Sequence, residues 1–436
     1  MRISIAGCGY VGLTTGLALA ELGNQVVLYD IDREKLESVK GGRSPFYEPD
    51  VEELIIKHTG TGALSTMEEM EAAVSGSEVT FIAVGTPSRD DGGMEDRYII
   101  SVCEGIGRVL SEKDDFHVVV VKSTVLPGTT SGIVKETLER TSGRRAGMDF
   151  GLSMCPEFLR EGSAMYDSLN PDRVVIGAED DRTFDVLSEL FGPVGSRVLR
   201  VNATTAEMIK YSSNSLLATK ISFANEVSRI CENVGVDVYK VMEGVGMDHR
   251  ISPHFLRAGV GFGGSCFPKD VSAVRYMAGR MGLRTPLLDG VMENNEIQPK
   301  HLLDVAERMV GPLKGSRVSV LGLSFKPDTD DIRETRSLPV ILGLIERGAE
   351  VGAHDPQAQE NFRRVVPDIK YFNGPQEAVD WGDAVILMTE WPQFRGLMWK
   401  SNAHLKGVID GRRTVSRDEL GDIDYWSIGM PLPRKR

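Results

Sequence analysis

One cysteine stands among glycines and aromatic residues in the stretch GVGFGGSCFPKD, residues 259–270. Proline is favoured in the first turn of a helix, so Pro268 predicts that Cys266 lies at a helix N-terminus, beside Lys269. The helix dipole and the ammonium group would both lower the pKa of the thiol toward the thiolate, the nucleophilic form of cysteine. Asp270 follows one helical turn later, where it is placed to hold a water molecule or a proton. The stretch therefore predicts a nucleophilic cysteine, and an inert buried cysteine is the alternative because cysteine is among the most often buried residues.

Two more pairs of polar residues are spaced four apart, as they would be on one face of a helix. Lys210 and Asn214 lie in a helical pattern with apolar neighbours, and together they can stabilise a developing oxyanion. A solvated helix face is the alternative for this pair. Glu157 and Glu161 follow Pro156, and a helical turn there would put both carboxylates on one side. Acidic pairs near helix starts are also common surface features, so these two residues alone leave the choice open.

The N-terminal stretch carries the spacing of a dinucleotide-binding turn. Gly7, Gly9 and Gly12 fit the pattern G-x-G-x-x-G between a predicted strand and a predicted helix, where glycines let a pyrophosphate approach the helix N-terminus. Asp30 ends the next strand, where it would accept a hydrogen bond from a ribose 2′-hydroxyl and repel a 2′-phosphate. The pattern therefore predicts NAD in preference to NADP, and Arg33 slightly weakens that preference.

Alternating strand and helix patterns surround this turn. The first strand, the glycine turn, a helix that ends at Gly23 and the strand that ends at Asp30 form the opening unit of a doubly wound sheet. Further strands are predicted over four segments, 78–87, 117–125, 150–158 and 173–178. Alternation of this kind predicts an α/β fold with a parallel sheet covered by helices.

The pattern changes near residue 202 and returns in altered form near residue 316. Residues 202–235 show helical periodicity, and a helix of that length usually ties two domains together or forms a subunit interface. From residue 316 the N-terminal order repeats without the G-x-G-x-x-G glycines, so we do not expect this part to hold a pyrophosphate in the same way. We therefore predict two Rossmann-like doubly wound domains joined by a central helical domain with a long connecting helix, with bounds of 1–200, 201–312 and 313–436.

Composition restricts the class of protein. The chain has 436 residues, of which 41% are hydrophobic and 26% are charged, and its net charge of −13 argues against a nucleic-acid-binding protein. Its five cysteines stand at unrelated spacings, so neither a disulfide framework nor a metal site is predicted. The sequence shows no apolar run long enough to span a membrane and no signal-peptide pattern, and we expect a cytoplasmic protein.

Nine motifs, in order along the chain, resemble those of a known family. They are GCGYVG, SPFYEP, VGTP, STVLPGTT, PEFLREG, AEMIKYSSN, ISFANE, GFGGSCFPKD and SFKPDTDDIRET. On these motifs the chain is identified as a member of the UDP-glucose/GDP-mannose dehydrogenase family, and the resemblance covers nearly the whole chain. It implies an oxidoreductase that converts the C6 alcohol of a nucleotide sugar to a carboxylate with two NAD per turnover, as a step toward polysaccharide biosynthesis.

The resemblance also implies catalytic roles. Cys266 would be the nucleophile, which holds the aldehyde as a thiohemiacetal and the second oxidation product as a thioester. Lys210 and Asn214 would stabilise the oxyanion. Three more residues would position the hydrolytic water and assist proton transfer: Asp270, Glu157 and Thr124.

Two sets of binding residues follow from the same resemblance. For NAD, the implied set consists of Gly7, Gly9, Val11, Gly12, Asp30, Lys35, Thr86, Thr124, Glu161, Lys269 and Arg333. For the nucleotide sugar, it consists of Glu157, Phe158, Leu159, Arg160, Glu161, Lys210, Asn214, Arg250, Phe255, Leu256, Arg257, Ala258, Gly259, Gly263 and Lys326. The basic members of these sets would form the local cationic cluster that an acidic protein needs for dianionic ligands.

Arg250 falls where the family usually supplies an arginine from the partner subunit, so the resemblance implies a homodimer whose active site is completed by dimerisation. The form of GGSCFPKD, together with Arg250, favours UDP-glucose as the substrate, with GDP-mannose or another UDP-sugar as the alternative. From other classes of protein, a two-electron hydroxyacid dehydrogenase, which needs no thiol, and a non-catalytic NAD or nucleotide-sugar sensor are the alternatives.

Overall fold

The computed structural model describes residues 1–89 and 91–433. The chain forms two compact units, Met1–Ser213 and Asn214–Arg436. Each unit contains one largely parallel β-sheet with helices, and the predicted α/β class is thereby confirmed. The division into three domains stays a prediction. Within the described ranges, no helix combines the length and the apolar character that crossing a bilayer requires.

The first unit is built on an eight-stranded sheet. Its strands are β1 (Arg2–Ala6), β2 (Gln25–Tyr29), β3 (Leu64–Met67), β4 (Val79–Ile82), β5 (Val118–Val121), β6 (Gly151–Met154), β7 (Arg173–Ala178) and β8 (Arg197–Val201). They lie side by side in the order β3-β2-β1-β4-β5-β6-β7-β8, so the direction of winding reverses between β1 and β4. Ligands of doubly wound sheets bind at the carboxyl ends of the strands beside such a reversal.

The helices of this unit join or flank its strands. They are α1 (Tyr10–Glu21), α2 (Arg33–Lys40), α3 (Val51–Thr61), α4 (Met70–Ser75), α5 (Arg97–Glu112), α6 (Lys135–Ser142), α7 (Ala164–Leu169) and α8 (Asp181–Phe191). An irregular helical turn, Thr130–Val134, precedes α6. The long helix α9 (Ala203–Val234) begins after Asn202, whose side chain accepts a hydrogen bond from the backbone N–H of Thr205 at 2.8 Å. The predicted helix over 202–235 is confirmed.

Alternating residues of β5 show that both faces of the first sheet are covered. Val118 and Val120 pack into one apolar cluster, and Val119 and Val121 pack into another. Successive side chains of a strand point to opposite faces, so the two clusters lie on opposite sides of the sheet. A strand buried on both faces accounts for the unbroken run of valines in this segment.

One pairing in the first sheet differs from the expected parallel arrangement. β6 and β7 run antiparallel, with Met154 opposite Gly177. A parallel neighbour needs a crossover that returns the chain to the starting edge of the sheet. The connection from β6 to β7, which contains the short helix α7, does not make this return. The expectation of a wholly parallel sheet was therefore wrong at this pair.

The second unit is built on a six-stranded parallel sheet. Its strands are β9 (Arg317–Leu321), β10 (Glu350–His354), β11 (Lys370–Tyr371), β12 (Ala384–Leu387), β13 (Gly407–Asp410) and β14 (Asp424–Ser427), arranged in the order β11-β10-β9-β12-β13-β14. Its further helices are α10 (Val238–Gly246), α11 (Phe267–Arg280), α12 (Pro286–Val310), α13 (Ser337–Glu346), α14 (Gln359–Arg363), α15 (Pro375–Trp381) and α16 (Arg417–Leu420). The strand order repeats that of the first six strands of the first sheet, as the sequence repeat predicted.

The acid that follows β10, Asp355, is buried and surrounded by hydrogen-bond donors. Asp355 occupies the position after the second strand that Asp30 occupies in the first unit, and it is only 3% exposed. One carboxylate oxygen accepts from the backbone N–H groups of Leu323 and Ser324 at 2.7 and 3.1 Å and from the indole of Trp391 at 3.1 Å. The other oxygen accepts two further backbone N–H groups, those of residues 357 and 358. The Asp355 carboxylate thus holds the segments that follow β9 and β10 in place. This structural role agrees with the absence of the G-x-G-x-x-G glycines from the Rossmann-like second sheet.

We predict that Asp355→Asn lowers the free energy of unfolding of the second unit by about 3 kcal/mol, because the amide turns a donor toward N–H groups that need an acceptor. All four tryptophans lie in this unit, at Trp381, Trp391, Trp399 and Trp426. Their fluorescence in a denaturant titration therefore follows this unit alone. Asp368→Asn, the same substitution at an exposed position, is the control. Equal midpoints for the two variants would show that the Asp355 network contributes little.

Candidate active site

The glycine turn after β1 has the close packing that its sequence predicted. A Cβ atom on Gly12 would lie 1.8 Å from the carbonyl oxygen of Gly7, and one on Gly7 would lie 2.4 Å from the carbonyl oxygen of Ala83. A Cβ on Gly9 would meet no described atom within 4 Å, so the space in front of Gly9 is open. Helix α1 begins at Tyr10 directly after this turn, and the N-terminus of a helix favours the binding of a phosphate. This turn fits the pyrophosphate of a dinucleotide.

Asp30 lies against the same turn. Its carboxylate accepts hydrogen bonds from the backbone N–H groups of Cys8 at 2.6 Å and of Asp32 at 2.9 Å. Lys35, on α2, lies with its amine 3.5 Å from the carboxylate of Asp32. Burial and the charge of Asp30 raise the pKa of the Cys8 thiol to about 12, so this thiol stays protonated at neutral pH. The acid and the glycine turn that the sequence assigned to NAD are therefore brought together.

Two threonines assigned by the sequence also meet at the carboxyl edge of the first sheet. The hydroxyl of Thr86, in the loop after β4, donates to the backbone carbonyl of Thr124, in the loop after β5, at 2.9 Å. Both side chains are partly buried, as is Val11 in the first turn of α1. These loops adjoin the winding reversal between β1 and β4, where a dinucleotide is expected.

Glu157 and Lys210 form a buried ion pair. The Lys210 ammonium lies 2.7 Å from a carboxylate oxygen of Glu157, and the two side chains are 4% and 6% exposed. The second oxygen of Glu157 accepts from the backbone N–H of Leu159 at 2.8 Å. A buried lysine held in place by a carboxylate can stabilise a nearby negative charge or exchange a proton with it.

The helical turn expected over residues 157–161 is absent, because this described segment is an irregular loop. Its backbone is held by side chains instead, since the N–H of Arg160 donates to Asp167 at 2.9 Å. The Arg160 guanidinium also binds Asp167, at 2.7 Å. Glu157 is buried and Glu161 is only partly buried, so the two carboxylates do not act as an exposed pair on one helix face.

Two cations stack near the aromatic ring of this loop. The Arg173 guanidinium lies 3.9 Å from the ring centre of Phe158, and the Lys210 ammonium lies 5.6 Å from it. The loop that the sequence assigned to the nucleotide sugar is therefore held against two cationic side chains of the first unit.

Glu207 is a further residue of this unit that the sequence reasoning did not assign. It is fully buried on α9, and its carboxylate accepts from the backbone N–H groups of Gly128 and Thr130 at 2.6 and 2.8 Å. Burial raises the pKa of this carboxyl group. Glu207 lies one turn before Lys210 in the motif AEMIKYSSN, and this spacing was the only signal in the sequence. It fixes the loop that follows Thr124.

In the second unit, Cys266 immediately precedes helix α11, as its sequence predicted, and its side chain is exposed. The other four cysteines, Cys8, Cys103, Cys155 and Cys231, are buried. Burial raises the pKa of all four of these thiols. The thiolate is the nucleophile, so the chemistry of the chain favours Cys266 over the other cysteines.

Asp270 lies one turn after Cys266 and is 1% exposed. Its two carboxylate oxygens are each bonded at 2.6 Å, one by the side-chain amide of Asn214 and the other by the ammonium of Lys269. Lys269, which is close to Cys266 in the sequence, therefore forms an ion pair with Asp270. The structure thus unites Asn214, Lys269 and Asp270, three residues that the sequence placed at the site.

The glycine-rich stretch before Cys266 lies against the segment 325–334. A Cβ on Gly263 would lie 2.3 Å from the carbonyl oxygen of Glu334, and the N–H of Gly264 donates to the carbonyl of Arg333 at 2.9 Å. The Arg333 guanidinium binds Asp331 at 2.6 Å, and the Lys326 ammonium lies 5.7 Å from the ring centre of Phe325. The motifs GFGGSCFPKD and SFKPDTDDIRET are therefore neighbours in the fold.

The segment from Phe255 to Gly259 leads into this glycine-rich stretch. Leu256 and Ala258 are buried, and the ring of Phe255 lies edge-on to that of Phe267, with 6.2 Å between ring centres. The Arg257 guanidinium lies 5.8 Å from the ring centre of Tyr239.

Two arginines of the second unit differ in their surroundings. Arg250 is exposed, and its guanidinium binds Asp248 at 2.6 Å, so this structure does not bring it to the residues around Cys266. Arg412 was not assigned from the sequence, yet its guanidinium donates to the carbonyl of Gly261 at 3.0 Å. The doublet of arginines that follows β13 was the only signal for it.

Among the described residues, no three His, Cys, Asp or Glu side chains are grouped so as to hold a metal ion. The first unit offers a dinucleotide-binding turn, an acid for a ribose and a buried lysine. The second unit offers an exposed thiol beside a buried carboxylate that is held by an amide and an ammonium. The groups of the first unit are of the kind that hydride transfer uses, and those of the second unit are of the kind that covalent catalysis uses.

Comparison with known proteins agrees with this chemistry. Residues 1–195 match the NAD binding domain of the UDP-glucose/GDP-mannose dehydrogenase family, residues 204–297 match its central domain, and residues 319–417 match its UDP binding domain. The UDP-glucose 6-dehydrogenase AglM of Haloferax volcanii is 42% identical over 434 residues, which cover 98% of this chain and all of that protein. A GDP-mannose 6-dehydrogenase of Pseudomonas syringae is 42% identical over 423 residues, which cover 94% of this chain and 95% of that protein.

A solved structure agrees as well. The UDP-glucose dehydrogenase of the hyperthermophilic archaeon Pyrobaculum islandicum superimposes with a TM-score of 0.91 at 41% identity, covering 98% of this chain and 97% of that chain. The match of residues 1–195 confirms the predicted NAD cofactor. The chain belongs to the UDP-glucose/GDP-mannose dehydrogenase family.

Proposed function

We propose that this protein is a UDP-glucose 6-dehydrogenase, which oxidises the C6 alcohol of UDP-glucose to the carboxylate of UDP-glucuronate. The observation that carries the proposal is the exposed Cys266 at the start of α11, one turn before the buried carboxylate of Asp270. A covalent thiol adduct lets one site perform two successive oxidations without releasing an aldehyde.

The proposed role of Cys266 is to attack the aldehyde carbon formed in the first oxidation. Its sulfur forms a bond to that carbon, and the carbonyl π bond becomes a C–O⁻ bond. The second oxidation converts this thiohemiacetal to a thioester. Water then attacks the thioester, the C–S bond breaks, and the carboxylate and the thiol are released. NAD, when bound, supplies the hydride acceptor for both oxidations, so the overall change is four electrons, with one water consumed and three protons released.

Lys210 and Asn214 are proposed to stabilise the oxyanion. Both are buried and lie one turn apart on α9, where a charge or a donor acts in a low dielectric and is worth more than in water. Glu157, which holds Lys210 at 2.7 Å, and Asp270, which accepts from Asn214 at 2.6 Å, are proposed to take up protons and to position the hydrolytic water with Thr124. The hydrogen bonds fix both donors before substrate binds.

The proposed NAD residues are the glycine turn with Gly7, Gly9, Val11 and Gly12, and in addition Asp30, Lys35, Thr86, Thr124, Glu161, Lys269 and Arg333. The proposed nucleotide-sugar residues are the segment 157–161, Lys210, Asn214, Arg250, the segment 255–259, Gly263 and Lys326. Two observations support the NAD set. The space in front of Gly9 is open, and the Asp30 carboxylate lies against the glycine turn. The contact of Gly263 with the segment that carries Lys326 supports the nucleotide-sugar set.

We further propose that the enzyme is a homodimer. Leu216, Phe223 and Ile230 are spaced seven apart on α9, which places them on one side of the helix, and they are 62%, 51% and 57% exposed. Such a stripe of large apolar side chains is typical of a helix that packs against a partner. In the dimer, Arg250 would come from the partner subunit. The cytoplasmic location and the role in polysaccharide biosynthesis are proposed with the function.

GDP-mannose is the second candidate substrate, because a GDP-mannose 6-dehydrogenase is as similar in sequence as the UDP-glucose enzymes. The close superposition of a UDP-glucose dehydrogenase structure on 98% of this chain supports UDP-glucose.

The stoichiometry of NADH separates four-electron from two-electron chemistry. With UDP-glucose limiting and NAD in excess, we expect two NADH for each UDP-glucose consumed, measured by absorbance against chromatography of the nucleotide sugars. One NADH, with an aldehyde or ketone as the product, would support a hydroxyacid-dehydrogenase type of reaction instead. No NADH from UDP-glucose, GDP-mannose or N-acetylated UDP-sugars would support a sensor.

Replacing the thiol tests the covalent step. We predict that Cys266→Ser binds UDP-glucose with nearly unchanged affinity but lowers kcat for carboxylate formation by roughly 10³-fold or more, because a hydroxyl is far less ionised than a thiol at neutral pH. Cys103→Ala, which removes a buried thiol from the core, is the control and should keep kcat. Full carboxylate production by the Cys266→Ser enzyme would contradict the covalent role.

The nucleotide base is tested by comparing substrates. We predict that kcat/KM is higher for UDP-glucose than for GDP-mannose, by up to a factor on the order of 10⁴, because a pocket that pairs with one base leaves its polar groups unpaired with the other. A higher kcat/KM for GDP-mannose would reverse the choice of substrate.

The same assay examines the shared site. Arg250→Ala should lower kcat/KM for the nucleotide sugar, whereas Arg395→Ala, which removes another exposed arginine of the second unit, should not. If Arg250→Ala has no effect, the proposal of an active site completed by the partner loses its support.

A further inference from the structure

Three buried side-chain amides surround the glycine-rich stretch that precedes Cys266. Asn225 lies on α9, and Asn295 and Gln298 lie on α12. None of the three is more than 1% exposed. Burying an amide is unfavourable unless its polar groups are bonded, so the partners of these amides account for their presence in the core.

Two of the amides hold Gly259. The backbone N–H of Gly259 donates to the side-chain oxygen of Asn225 at 2.8 Å, and its carbonyl accepts from the side-chain nitrogen of Gln298 at 2.7 Å. The Arg229 guanidinium donates to the side-chain oxygen of Gln298, which directs the amide nitrogen toward Gly259. Both backbone polar groups of Gly259 are therefore satisfied by side chains of neighbouring helices.

The third amide holds Phe262. Its N–H donates to the side-chain oxygen of Asn295 at 2.8 Å, and its carbonyl accepts from the side-chain nitrogen of Asn295 at 3.0 Å. A single asparagine thus pairs with both polar groups of one residue, in the way that a neighbouring strand would. Of the side chains of this size, only an amide can do so, because a carboxylate has no donor and an ammonium has no acceptor.

The backbone between these two residues needs such support. Gly261 has a φ of +105°, a conformation that residues with a Cβ rarely adopt, and a Cβ there would lie 2.5 Å from the side-chain oxygen of Asn295. The stretch belongs to no helix or strand, so its polar groups have no regular hydrogen-bonding pattern to enter. The amides replace that pattern.

We propose that Asn225, Asn295 and Gln298 are positioning residues for nucleotide-sugar binding. They hold Gly259 and Phe262 in the geometry that the substrate segment 255–259 requires, before the substrate arrives. Loss of one bond leaves the segment with several conformations, of which only a part bind the substrate, and the apparent affinity falls by that fraction. This inference rests on the proposed function, which assigns the segment to the nucleotide sugar.

The neighbouring residue provides a matched control. Asn294 is also buried on α12, at 5% exposure, but its side-chain nitrogen donates to the carbonyl of Ser222 on α9 instead of to the glycine-rich stretch. Asn295→Asp and Asn294→Asp are the same near-isosteric change at adjacent buried positions. Both should lower the Tm, because each places a carboxylate where a donor was needed.

Kinetics with both substrates distinguishes the two variants. We expect Asn295→Asp to raise KM for UDP-glucose about tenfold or more and to leave KM for NAD within twofold, and we expect Asn294→Asp to leave both values within twofold. Gln298→Glu, whose new carboxylate is compensated by Arg229, should show the effect of Asn295→Asp even if the latter fails to fold. An unchanged KM for UDP-glucose in Asn295→Asp or Gln298→Glu, or an equal rise for both substrates, would overturn the inference.

Hydrogen exchange adds a measurement that is independent of turnover. The amide protons of Gly259 and Phe262 should exchange slowly in the wild-type protein and in Asn294→Ala, and the amide proton of Phe262 should exchange much faster in Asn295→Ala, which removes the side-chain oxygen that accepts this proton. Equal exchange in both variants would also overturn the inference. A wild-type protein that oxidises no nucleotide sugar would instead refute the proposed function, and the two failures are thereby distinguished.

Discussion

The long helix α9 carries buried polar side chains, and each of them must find a partner close by. Within the first unit, Glu207 holds the backbone after Thr124, and Lys210 pairs with Glu157. Within the second unit, Asn214 bonds to Asp270. An unpaired charge in such a setting would cost several kcal/mol, so these pairings are strongly determined. Because each buried polar side chain of α9 must be paired, each is held in a fixed position. The helix therefore supports the groups that are proposed to do the chemistry.

The two sheets show how one architecture is used in two ways. Both place an acid after their second strand, Asp30 in the first and Asp355 in the second. Asp30 accepts from two backbone N–H groups, and the glycine turn beside it leaves open space. Asp355 is enclosed by donors from its own turn and by the indole of Trp391. The difference lies in how many internal donors reach the carboxylate, and it explains why the repeat of strand order carries no repeat of function.

Features that depend on local patterns were predictable from the sequence. The glycine turn, the helix over 202–235 and the position of Cys266 just before a helix all follow from residues within one or two turns of each other. The family was also predictable, because nine motifs in order restrict the fold far more than composition does.

Features that depend on distant partners were not predictable. The loop at 157–161 is irregular because Asp167 and Lys210 capture its polar groups, and no local rule expresses that competition. Glu207 reaches a backbone nearly eighty residues away in sequence. Asn295 is one of several amides on its helix, and only the folded chain shows which of them meets the glycine-rich stretch. The antiparallel direction of β7 likewise has no local signal in the sequence.

The proposed reaction depends above all on a covalent intermediate at Cys266, and trapping that intermediate is the most direct test. In Asp270→Asn, which should slow hydrolysis of the thioester, mixing with UDP-glucose and excess NAD, followed by acid quenching, digestion and mass spectrometry, should show a uronyl adduct on the peptide that contains Cys266. Hydroxylamine should remove that adduct. A burst of two NADH per active site with an unmodified Cys266 peptide, or with the adduct on a different residue, would contradict the account.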